Sequence, residues 1–325
     1  MRLIAGSGRS GTTWVQDVLA EANHLRPVFE PLHPYVSEIG DRYAYRAFSR
    51  EDDVPELERF LADACAGRRH SLWMRYRQQR FWLLPSRAQI RKPQELRRTV
   101  RRWSRFLSDV PRLAAAGRRV DPIVKCIRAN LMLDWIAARF GRRMVFVVRH
   151  PGAVIESELR GGWNASFALK RFRNDSRLHE ITEGRYLPLL NARLDALEAL
   201  ATRWIVENQW VVEWARAAGI AVVHYEHLRL HPGRQWLEIL GALELENAPP
   251  PRLIARPSQQ SARKVLADDE TALAAPRWRT ALSDDQLTSI QRVLDAVGCD
   301  FYSMFDPAPR ISNLASIADG EAARS

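Results

Sequence analysis

A glycine-rich turn close to the N-terminus has the residue types and spacing of an anion-binding loop. Gly6 and Gly11 are separated by four residues, between an apolar run at Arg2–Ala5 and a helical pattern that starts at Thr12. The backbone N–H groups of such a turn point inward, and the helix N-terminus adds a partial positive charge. In nucleotide triphosphatases a lysine at the position of Thr12 reaches the β- and γ-phosphates. Because the positive charge here belongs to Arg9 instead, the loop suits a phosphate-like group but lacks the usual equipment for hydrolysing Mg-ATP.

A second candidate anion site follows an apolar run in the middle of the chain. Met144–Val148 is typical of a strand in a parallel sheet that is covered on both faces. Arg149 follows it directly, and Ser157 lies eight residues later, in the first turns of the next predicted helix. Ligands of open parallel sheets bind at the carboxyl ends of the strands, where an arginine fork and a hydroxyl suit a terminal phosphate. Each site alone has an ordinary structural explanation, but two sites for the two ends of one nucleotide are much more specific.

The run GRSGTTW at residues 8–14 resembles the 5′-phosphosulfate loop of sulfotransferases that use 3′-phosphoadenosine-5′-phosphosulfate (PAPS). In that family a Lys or Arg before Ser-Gly-Thr-Thr/Ser contacts the 5′-phosphate and the sulfuryl group, which implies this role for Arg9. The resemblance implies that four residues complete the cradle: Ser10, Gly11, Thr12 and Thr13.

Arg149 and Ser157 resemble the 3′-phosphate site of the same family, in which an Arg is followed eight residues later by a Ser. A polar basic loop at residues 256–264 also resembles the late segment that folds over the 3′-phosphate in this family. That resemblance makes Arg263 and Lys264 the further candidates for binding the nucleotide.

Glu30 is the candidate general base. It lies in the run FEPLH, which resembles a stretch of carbohydrate-type sulfotransferases in which a Glu takes the proton of the acceptor hydroxyl. The catalytic His of cytosolic relatives is replaced by Ile127, so another group must act. We expect Phe29 and Leu32 to form an apolar setting that raises the pKa of Glu30 towards neutral pH. His33 is the rival base, because an imidazole titrates near neutral pH, and a structural Glu30 paired with an arginine is a further alternative.

Lys125 is the candidate for facing the sulfuryl group. It lies in Pro122–Cys126, a predicted strand, and in cytosolic relatives a lysine at this strand end is followed two residues later by the catalytic His. The alternative is an ordinary strand-end lysine in solvent or in a salt bridge. Arg128 is open to the same two interpretations.

Strands that alternate with helices predict the fold. The apolar runs Arg2–Ala5, Pro122–Cys126, Met144–Val148 and 220–225 are separated by helical patterns, which is typical of a doubly wound parallel sheet of the phosphate-loop type. We predict a helix at 129–140, either one helix or two over 187–218, and a helix that starts with the capping box Ser283-Asp-Asp-Gln286. We predict one α/β domain over residues 1–307, with a helical basic insertion at 41–120 and a flexible tail at 308–325.

The net positive charge of the chain is concentrated in the predicted insertion. The 325 residues have a formal net charge of +11, whereas Arg68–Arg119 alone contains 16 Arg or Lys against Glu95 and Asp109. Apolar residues are interleaved, so one interpretation is a basic amphipathic surface that binds an acidic acceptor or a membrane interface. The alternative is a set of arginine-rich, solvated helices whose aromatic faces pack on the core.

The cysteine and hydropathy patterns exclude several classes of protein. Cys65, Cys126 and Cys299 are far apart and odd in number, so neither a disulfide framework nor a zinc site is expected. No run approaches the ~18 apolar residues of a membrane span, and the first strand starts at residue 2, which leaves no room for a signal peptide. We therefore expect a soluble, cytoplasmic protein.

The resemblance implies an enzyme that transfers a sulfuryl group from PAPS to an acceptor hydroxyl and releases 3′-phosphoadenosine-5′-phosphate (PAP), without a metal. The expected acceptor is a carbohydrate or glycolipid, and both an acidic glycan and a lipid-linked acceptor are compatible with this expectation. One alternative is a phosphate-loop nucleotide or sugar kinase, against which Thr12 argues. Another is a basic protein that binds nucleic acid or a membrane surface through residues 68–119. No base-stacking motif supports a nucleic-acid partner.

Overall fold

Parallel strands form the centre of the fold. The computed structural model describes residues 1–34, 37–68, 120–230, 232–255 and 276–310. Within these ranges there are five strands: β1 (Arg2–Ala5), β2 (Arg26–Phe29), β3 (Pro122–Cys126), β4 (Met144–Val148) and β5 (Ala221–His224). They form one sheet in the order β2-β3-β1-β4-β5, and every neighbouring pair is parallel. The predicted α/β fold with a parallel sheet is confirmed.

Helices connect the strands and cover both faces of the sheet. In the first third they are α1 (Thr12–Ala22), α2 (Glu38–Tyr43) and α3 (Pro55–Cys65). From β3 to β5 they are α4 (Leu133–Phe140), α5 (Pro151–Arg160), α6 (Ser166–Arg173), α7 (Ser176–Ile181), α8 (Leu187–Asn191) and α9 (Ala196–Ala217). After β5 they are α10 (Tyr225–Leu230), α11 (Pro232–Leu243), α12 (Pro251–Ile254), α13 (Arg277–Ala281) and α14 (Asp284–Asp295).

The apolar runs of the strands are divided between two hydrophobic clusters. In β4 every residue is buried, and the side chains alternate. Phe146 and Val148 pack with Trp204 of α9 in one cluster. Val145 and Val147 pack with Trp14 of α1 in the other. Because both faces of the sheet are covered, a continuous apolar run is needed here, and this is the pattern on which the strand was predicted.

Several predicted boundaries differ from the structure by a few residues. The helix predicted at 129–140 starts with a 3-10 turn at Asn130–Met132 before α4. The long helix predicted at 187–218 is broken into α8 and α9, because Asp195 forms a capping box that begins a new helix. The capping box predicted at Ser283 is present and begins α14.

The predicted insertion and tail are described only in part. Residues 41–68 contain the end of α2 and all of α3, while 69–119, including the arginine-rich stretch, lie outside the described residues. At the C-terminal end, Phe301, Tyr302 and Met304 are buried. The N–H of Arg310 donates to the Phe301 carbonyl at 2.9 Å. Residues 311–325 are not described. Among the described helices, none is long and apolar enough to cross a bilayer.

The strand order determines where a ligand can bind. From β1 the chain first crosses to β2 and β3 on one side and later to β4 and β5 on the other. The direction of winding therefore reverses beside β1, and open α/β sheets bind ligands outside the carboxyl ends of the strands at such a point. The loops that follow β1 and β4 meet there, so both candidate anion sites lie at one edge of the sheet.

Candidate active site

The glycine-rich turn after β1 is closely packed against the neighbouring strands. Gly6 has φ +149°, and a Cβ at this position would lie 2.3 Å from the carbonyl oxygen of Val147. The N–H of Gly6 donates to Oδ1 of the buried Asn130 at 3.1 Å. Gly11 has φ +94°, and a Cβ there would lie 2.4 Å from the ring of Tyr225. Only glycine fits at both positions, so the loop follows a path that backbone and ring contacts determine.

The start of α1 offers unpaired backbone donors. Gly11 is its N-cap residue and carries no capping side chain. The N–H groups of Gly11, Thr12 and Thr13 donate to no acceptor in the described parts of the chain. The Ser10 hydroxyl donates to the Ser7 carbonyl at 2.7 Å and so stiffens the turn. These donors and the helix dipole can stabilise a bound phosphate.

Arg9, Ser157 and Arg149 lie together, although 148 and 140 residues separate the first from the other two. Nε of Arg9 donates to the Ser157 hydroxyl at 2.8 Å. Nη1 of Arg149 donates to the backbone carbonyl of Arg9 at 3.1 Å. The guanidinium of Arg149 lies over the Tyr225 ring at 4.5 Å. The loop after β1 and the loop after β4 therefore form one continuous surface.

This surface carries positive charge that no neighbouring carboxylate pairs with directly. Arg9 and Arg149 make no ion pair with an acid among the described residues. Nε of Arg149 is buried without a hydrogen-bond partner. Burial and then the nearby charge of Arg149 lower the pKa of Arg9. An anion bound between the two guanidinium groups would relieve this repulsion, and a phosphate is the anion whose geometry they match.

Glu30 lies at the carboxyl end of β2 and is held by two cations. Its Oε1 accepts hydrogen bonds from Nζ of Lys125 at 2.5 Å and from the N–H of Ile127 at 3.0 Å. Its Oε2 accepts from Nη1 of Arg128 at 2.7 Å. The side chains of Glu30 and Lys125 are only 2% and 5% exposed. Glu30, Lys125 and Arg128, which we call the charged triad, are thus packed near the glycine-rich turn, which Ile127 links to Glu30, rather than standing in solvent.

The expected raised pKa of Glu30 is wrong for this arrangement. Burial raises the pKa of the carboxyl, as the apolar neighbours suggested, but the charges of Lys125 and Arg128 outweigh it, so the net pKa is lowered. Burial also lowers the pKa of Lys125, and Glu30 only partly offsets this. The 2.5 Å contact and the second cation favour a triad in which all three groups are charged. Without a ligand, Glu30 is therefore a weak base.

The two histidines nearest the candidate site have low basicity. Burial, with a contribution from Arg128, lowers the pKa of His33 to about 3. The imidazole is therefore a weaker candidate for the base at neutral pH than its ordinary pKa suggested. His150 accepts from the N–H of Gly152 at 3.1 Å and contacts the carbonyls of Ser303 and Asp306. His150 thus caps the start of α5 and attaches the C-terminal segment to it.

Three residues of this region have left-handed backbone conformations. The φ angles are +64° at Arg9, +47° at Glu30 and +63° at Tyr45. Such conformations cost about 1–3 kcal/mol each in non-glycine residues and cluster at functional sites. Tyr45 had not been singled out from the sequence. Its N–H donates to the Arg128 carbonyl at 3.0 Å, and its ring lies 5.7 Å from the Arg128 guanidinium.

Exposed aromatic rings border the charged triad and the loop. Trp163 is 41% exposed and Phe167 is 42% exposed. The Trp163 ring lies against Gly8, where a Cβ would be 3.0 Å from the ring and 3.7 Å from the side chain of Ile127. Phe167 packs edge-to-face on Tyr45, with ring centroids 6.1 Å apart. We call Tyr45, Trp163 and Phe167 the aromatic rim; it contacts the glycine-rich turn at Gly8 and the charged triad at Arg128.

Sequence reasoning missed residues that act through contacts between distant parts of the chain. Asn130, Tyr45, Trp163 and Tyr225 belong to no motif that the local pattern predicts, and only packing against Gly6, Arg128, Gly8 and Gly11 identifies them. The candidates Arg263 and Lys264 lie outside the described residues. In the described ranges no group of three or more His, Cys, Asp or Glu could hold a metal ion.

Comparison with known proteins gives a family match over most of the chain. A model described as "Sulfotransferase family" matches residues 3–249. One similar solved structure is a sulfotransferase domain from the curacin biosynthetic pathway, with 14% identity, a TM-score of 0.45, and coverage of 92% of this chain and 98% of that one. Another is a sulfotransferase domain from the Synechococcus PCC 7002 olefin synthase, with 17% identity, a TM-score of 0.43, and coverage of 93% and 95%. No match was found among curated protein sequences.

Proposed function

The chain belongs to the sulfotransferase family, and from this membership we propose that it transfers a sulfuryl group from PAPS to an acceptor hydroxyl and releases PAP. The observation that carries the proposal is the meeting of Arg9, Ser157 and Arg149 at the point where the sheet reverses its winding. Two guanidinium groups without carboxylate partners and an uncapped helix N-terminus suit a nucleotide with a phosphate at each end.

Each proposed nucleotide-binding residue has a distinct task. The N–H groups from Gly11 to Thr13 and the hydroxyls of Ser10, Thr12 and Thr13 would surround the 5′-phosphate. Arg149 and Ser157 would bind the 3′-phosphate. Arg9 lies between the two regions, with its side chain on Ser157 and its carbonyl on Arg149. Arg263 and Lys264 remain proposed contacts to the 3′-phosphate.

The proposed reaction is an in-line displacement at sulfur. The acceptor oxygen forms a bond to sulfur while the bond from sulfur to the 5′-phosphate oxygen breaks, and the electron pair of that bond stays on PAP. Glu30 takes the proton of the acceptor hydroxyl as the new bond forms. Arg9 and Lys125 offset the charge that develops on the sulfuryl and phosphate oxygens, which is usually the largest single contribution to such catalysis. The sulfuryl group and the single 5′-phosphate together bear less charge than a triphosphate. Arg9 and Lys125 can therefore offset this charge without a metal.

The proposed acceptor is a carbohydrate or a glycolipid. Support comes from the resemblance of FEPLH to carbohydrate-type enzymes and from the aromatic rim beside Glu30. The partly exposed side chains of Trp163 and Phe167 suit the apolar face of a sugar ring or a lipid chain, while the charged triad suits the hydroxyl. The arginine-rich stretch, as a surface for an acidic or membrane-bound acceptor, stays a proposal because it lies outside the described residues.

We expect the protein to bind PAP more tightly than ATP. ATP has no 3′-phosphate, so Arg149 and Ser157 would lose their partner, and a lost charge-assisted contact costs about 1.5–3 kcal/mol. Calorimetric titration of PAP and of Mg-ATP should therefore give affinities that differ by at least about tenfold. Equal affinities, or turnover of Mg-ATP, would instead support the kinase alternative. Incubation of PAPS with a crude acceptor pool, followed by mass spectrometry for an added sulfate, then tests the transfer itself.

We expect Trp163→Ala to raise the KM for the acceptor and to leave the affinity for PAP unchanged. The Trp163 ring is 41% exposed beside the loop but makes no hydrogen bond to the residues proposed to bind phosphate. Loss of such a ring from a binding surface typically costs about 1–3 kcal/mol, or roughly tenfold to a hundredfold in KM. Leu237→Ala, which removes another exposed apolar side chain on α11, is the matched control and should change neither constant. A change in PAP affinity for Trp163→Ala alone would assign the ring to the nucleotide instead.

A further inference from the structure

Glu30 is engaged by donors on both of its oxygens in the ligand-free protein. Lys125 and the N–H of Ile127 bond to Oε1, and Arg128 bonds to Oε2. Hydrogen bonds and cations that stabilise a carboxylate oppose its protonation. A group in this state cannot take a proton efficiently at neutral pH, so the residue that is best placed to be the base is also held in its least basic form.

Burial shifts the pKa of the other titratable groups around Glu30 towards their neutral forms. Burial raises the pKa of Cys126 on β3 and that of Tyr45 after α2 to about 12. Burial lowers the pKa of His33 in the same turn to about 3. Burial raises the pKa of Glu207 on α9 to about 8. The two cations of the charged triad therefore set the basicity of Glu30, and loss of either one would change it.

Of the two cations, Arg128 is the more firmly held. Its carbonyl accepts from the N–H of Tyr45, its guanidinium lies over the Tyr45 ring, and the left-handed backbone of Tyr45 keeps this packing in place. Its planar, rigid guanidinium bonds to Glu30 through Nη1.

Lys125 is the cation that can move. Within the described residues, Nζ has one hydrogen-bond partner, Glu30, and lies 4.7 Å from the centre of the Phe29 ring. A lysine is a compact charge on a flexible stem. Its strand is the direct neighbour of β1, where Lys125 pairs with Ile4, two residues before the first glycine of the phosphate loop. A short rotation of the side chain would thus move the ammonium group from Glu30 to an anion bound at the phosphate loop.

We propose that the sulfuryl group of the bound donor draws Lys125 away from Glu30, so that the base becomes competent only when the donor is present. This inference rests on the proposed function and extends it to the order of events. In the empty site the Lys125–Glu30 contact keeps the carboxylate from accepting a proton. In the donor complex the ammonium neutralises sulfuryl oxygens, and Glu30 keeps Arg128 and the Ile127 N–H. The acceptor proton then moves to Glu30 as the oxygen–sulfur bond forms, and it leaves to solvent after PAP has been released.

The wild-type protein allows the first test through its pH dependence. A base acts only when ionised, so activity falls as pH drops through its pKa. The acid limb of kcat/KM for PAPS reports the free enzyme, and that of kcat reports the complex with both substrates. Because one cation at contact distance lowers a carboxyl pKa by about 1–3 units, the acid limb of kcat should lie at least about one unit higher. Coincident acid limbs would overturn the proposal.

A spectroscopic test needs no turnover. Protein labelled with ¹³C at the glutamate carboxyls is titrated by NMR in three states: alone, with PAP, and with PAPS in the absence of acceptor. Glu30→Gln identifies the Glu30 signal. We expect the titration midpoint of Glu30 to move upwards with PAPS and to stay low with PAP, which lacks the sulfuryl group. An unmoved midpoint with PAPS, under conditions where calorimetry shows that PAPS is bound, would refute the movement of Lys125.

Two matched variants separate the roles of the cations. In Lys125→Met the Glu30 midpoint should already be raised in the empty protein, and PAPS should not raise it further. In Arg128→Met the Glu30 midpoint should be raised both in the empty protein and with PAPS, and PAPS should still raise it further. The reverse pattern would assign the movement to Arg128. Failure of PAPS and PAP to bind the wild-type protein would refute the proposed function itself, which is a different result from normal binding without a shift.

Discussion

Glu30→Gln is expected to lower kcat about 10²–10⁴-fold, the usual range for loss of a general base. The amide keeps the size and much of the hydrogen bonding of Glu30 but cannot take the proton of the acceptor hydroxyl. PAP affinity should remain within a few-fold of the wild-type value, because Glu30 bonds to Lys125, Arg128 and Ile127 rather than to the loop. Steady-state kinetics and calorimetry on the same preparation measure the two quantities.

The charged triad makes a stability control necessary for this variant. Removal of one partner from a buried ion pair typically costs about 3–5 kcal/mol, because a charge is left buried without compensation. Asp134→Asn is the matched control: Asp134 accepts hydrogen bonds from Arg50 and is largely buried, on α4. Thermal unfolding should show both variants destabilised, with kcat lost only in Glu30→Gln. If kcat instead stays near normal in Glu30→Gln and is lost in His33→Asn, the histidine is the base.

Arg9→Ala is expected to reduce kcat about 10²–10³-fold, the effect of removing one donor aimed at developing charge. Arg9 bonds to Ser157 in the ligand-free protein, so its side chain is already held beside the loop. Its charge is needed most when the bridging oxygen departs, whereas several N–H groups continue to bind the ground-state phosphate. We therefore expect kcat to fall steeply while the affinity for PAPS changes much less. Single-turnover kinetics measures the first quantity and calorimetry the second.

Arg149→Ala is the comparison for Arg9→Ala, because it removes a neighbouring guanidinium with a different proposed task. Loss of its contact to the 3′-phosphate should weaken PAP binding about tenfold to a hundredfold and change kcat at saturating PAPS only slightly. Arg9→Lys should recover part of kcat, since the charge is kept. If Arg9→Ala alters only the KM for PAPS, the role in the transition state is wrong and Arg9 is simply a binding residue.

The fold class and the two candidate anion-binding motifs could be identified because short stretches of sequence encode them. A fully buried parallel strand needs the uninterrupted apolar run of β4, and a turn packed against Val147 and Tyr225 needs glycine at two fixed positions. Each motif directly follows a predicted strand. Because the loops that follow parallel strands all lie at the carboxyl edge of the sheet, the position of each motif in the fold could be predicted as well. The sequence therefore determined that Arg9 and Arg149 lie at one edge, whereas the position of Glu30 there depends on β2, which the apolar pattern did not predict.

The electrostatic state of Glu30 was decided by the tertiary structure alone. Its neighbours along the chain, Phe29 and Leu32, are apolar and suggested a raised pKa. The charges that lower it come from Lys125 and Arg128, 95 and 98 residues away, through the parallel pairing of β2 with β3 that sets Phe29 opposite Lys125. Coulomb interactions depend on distance in space and not along the chain. Local sequence could thus identify the carboxylate, while only the register of two strands determined how strongly it holds its proton.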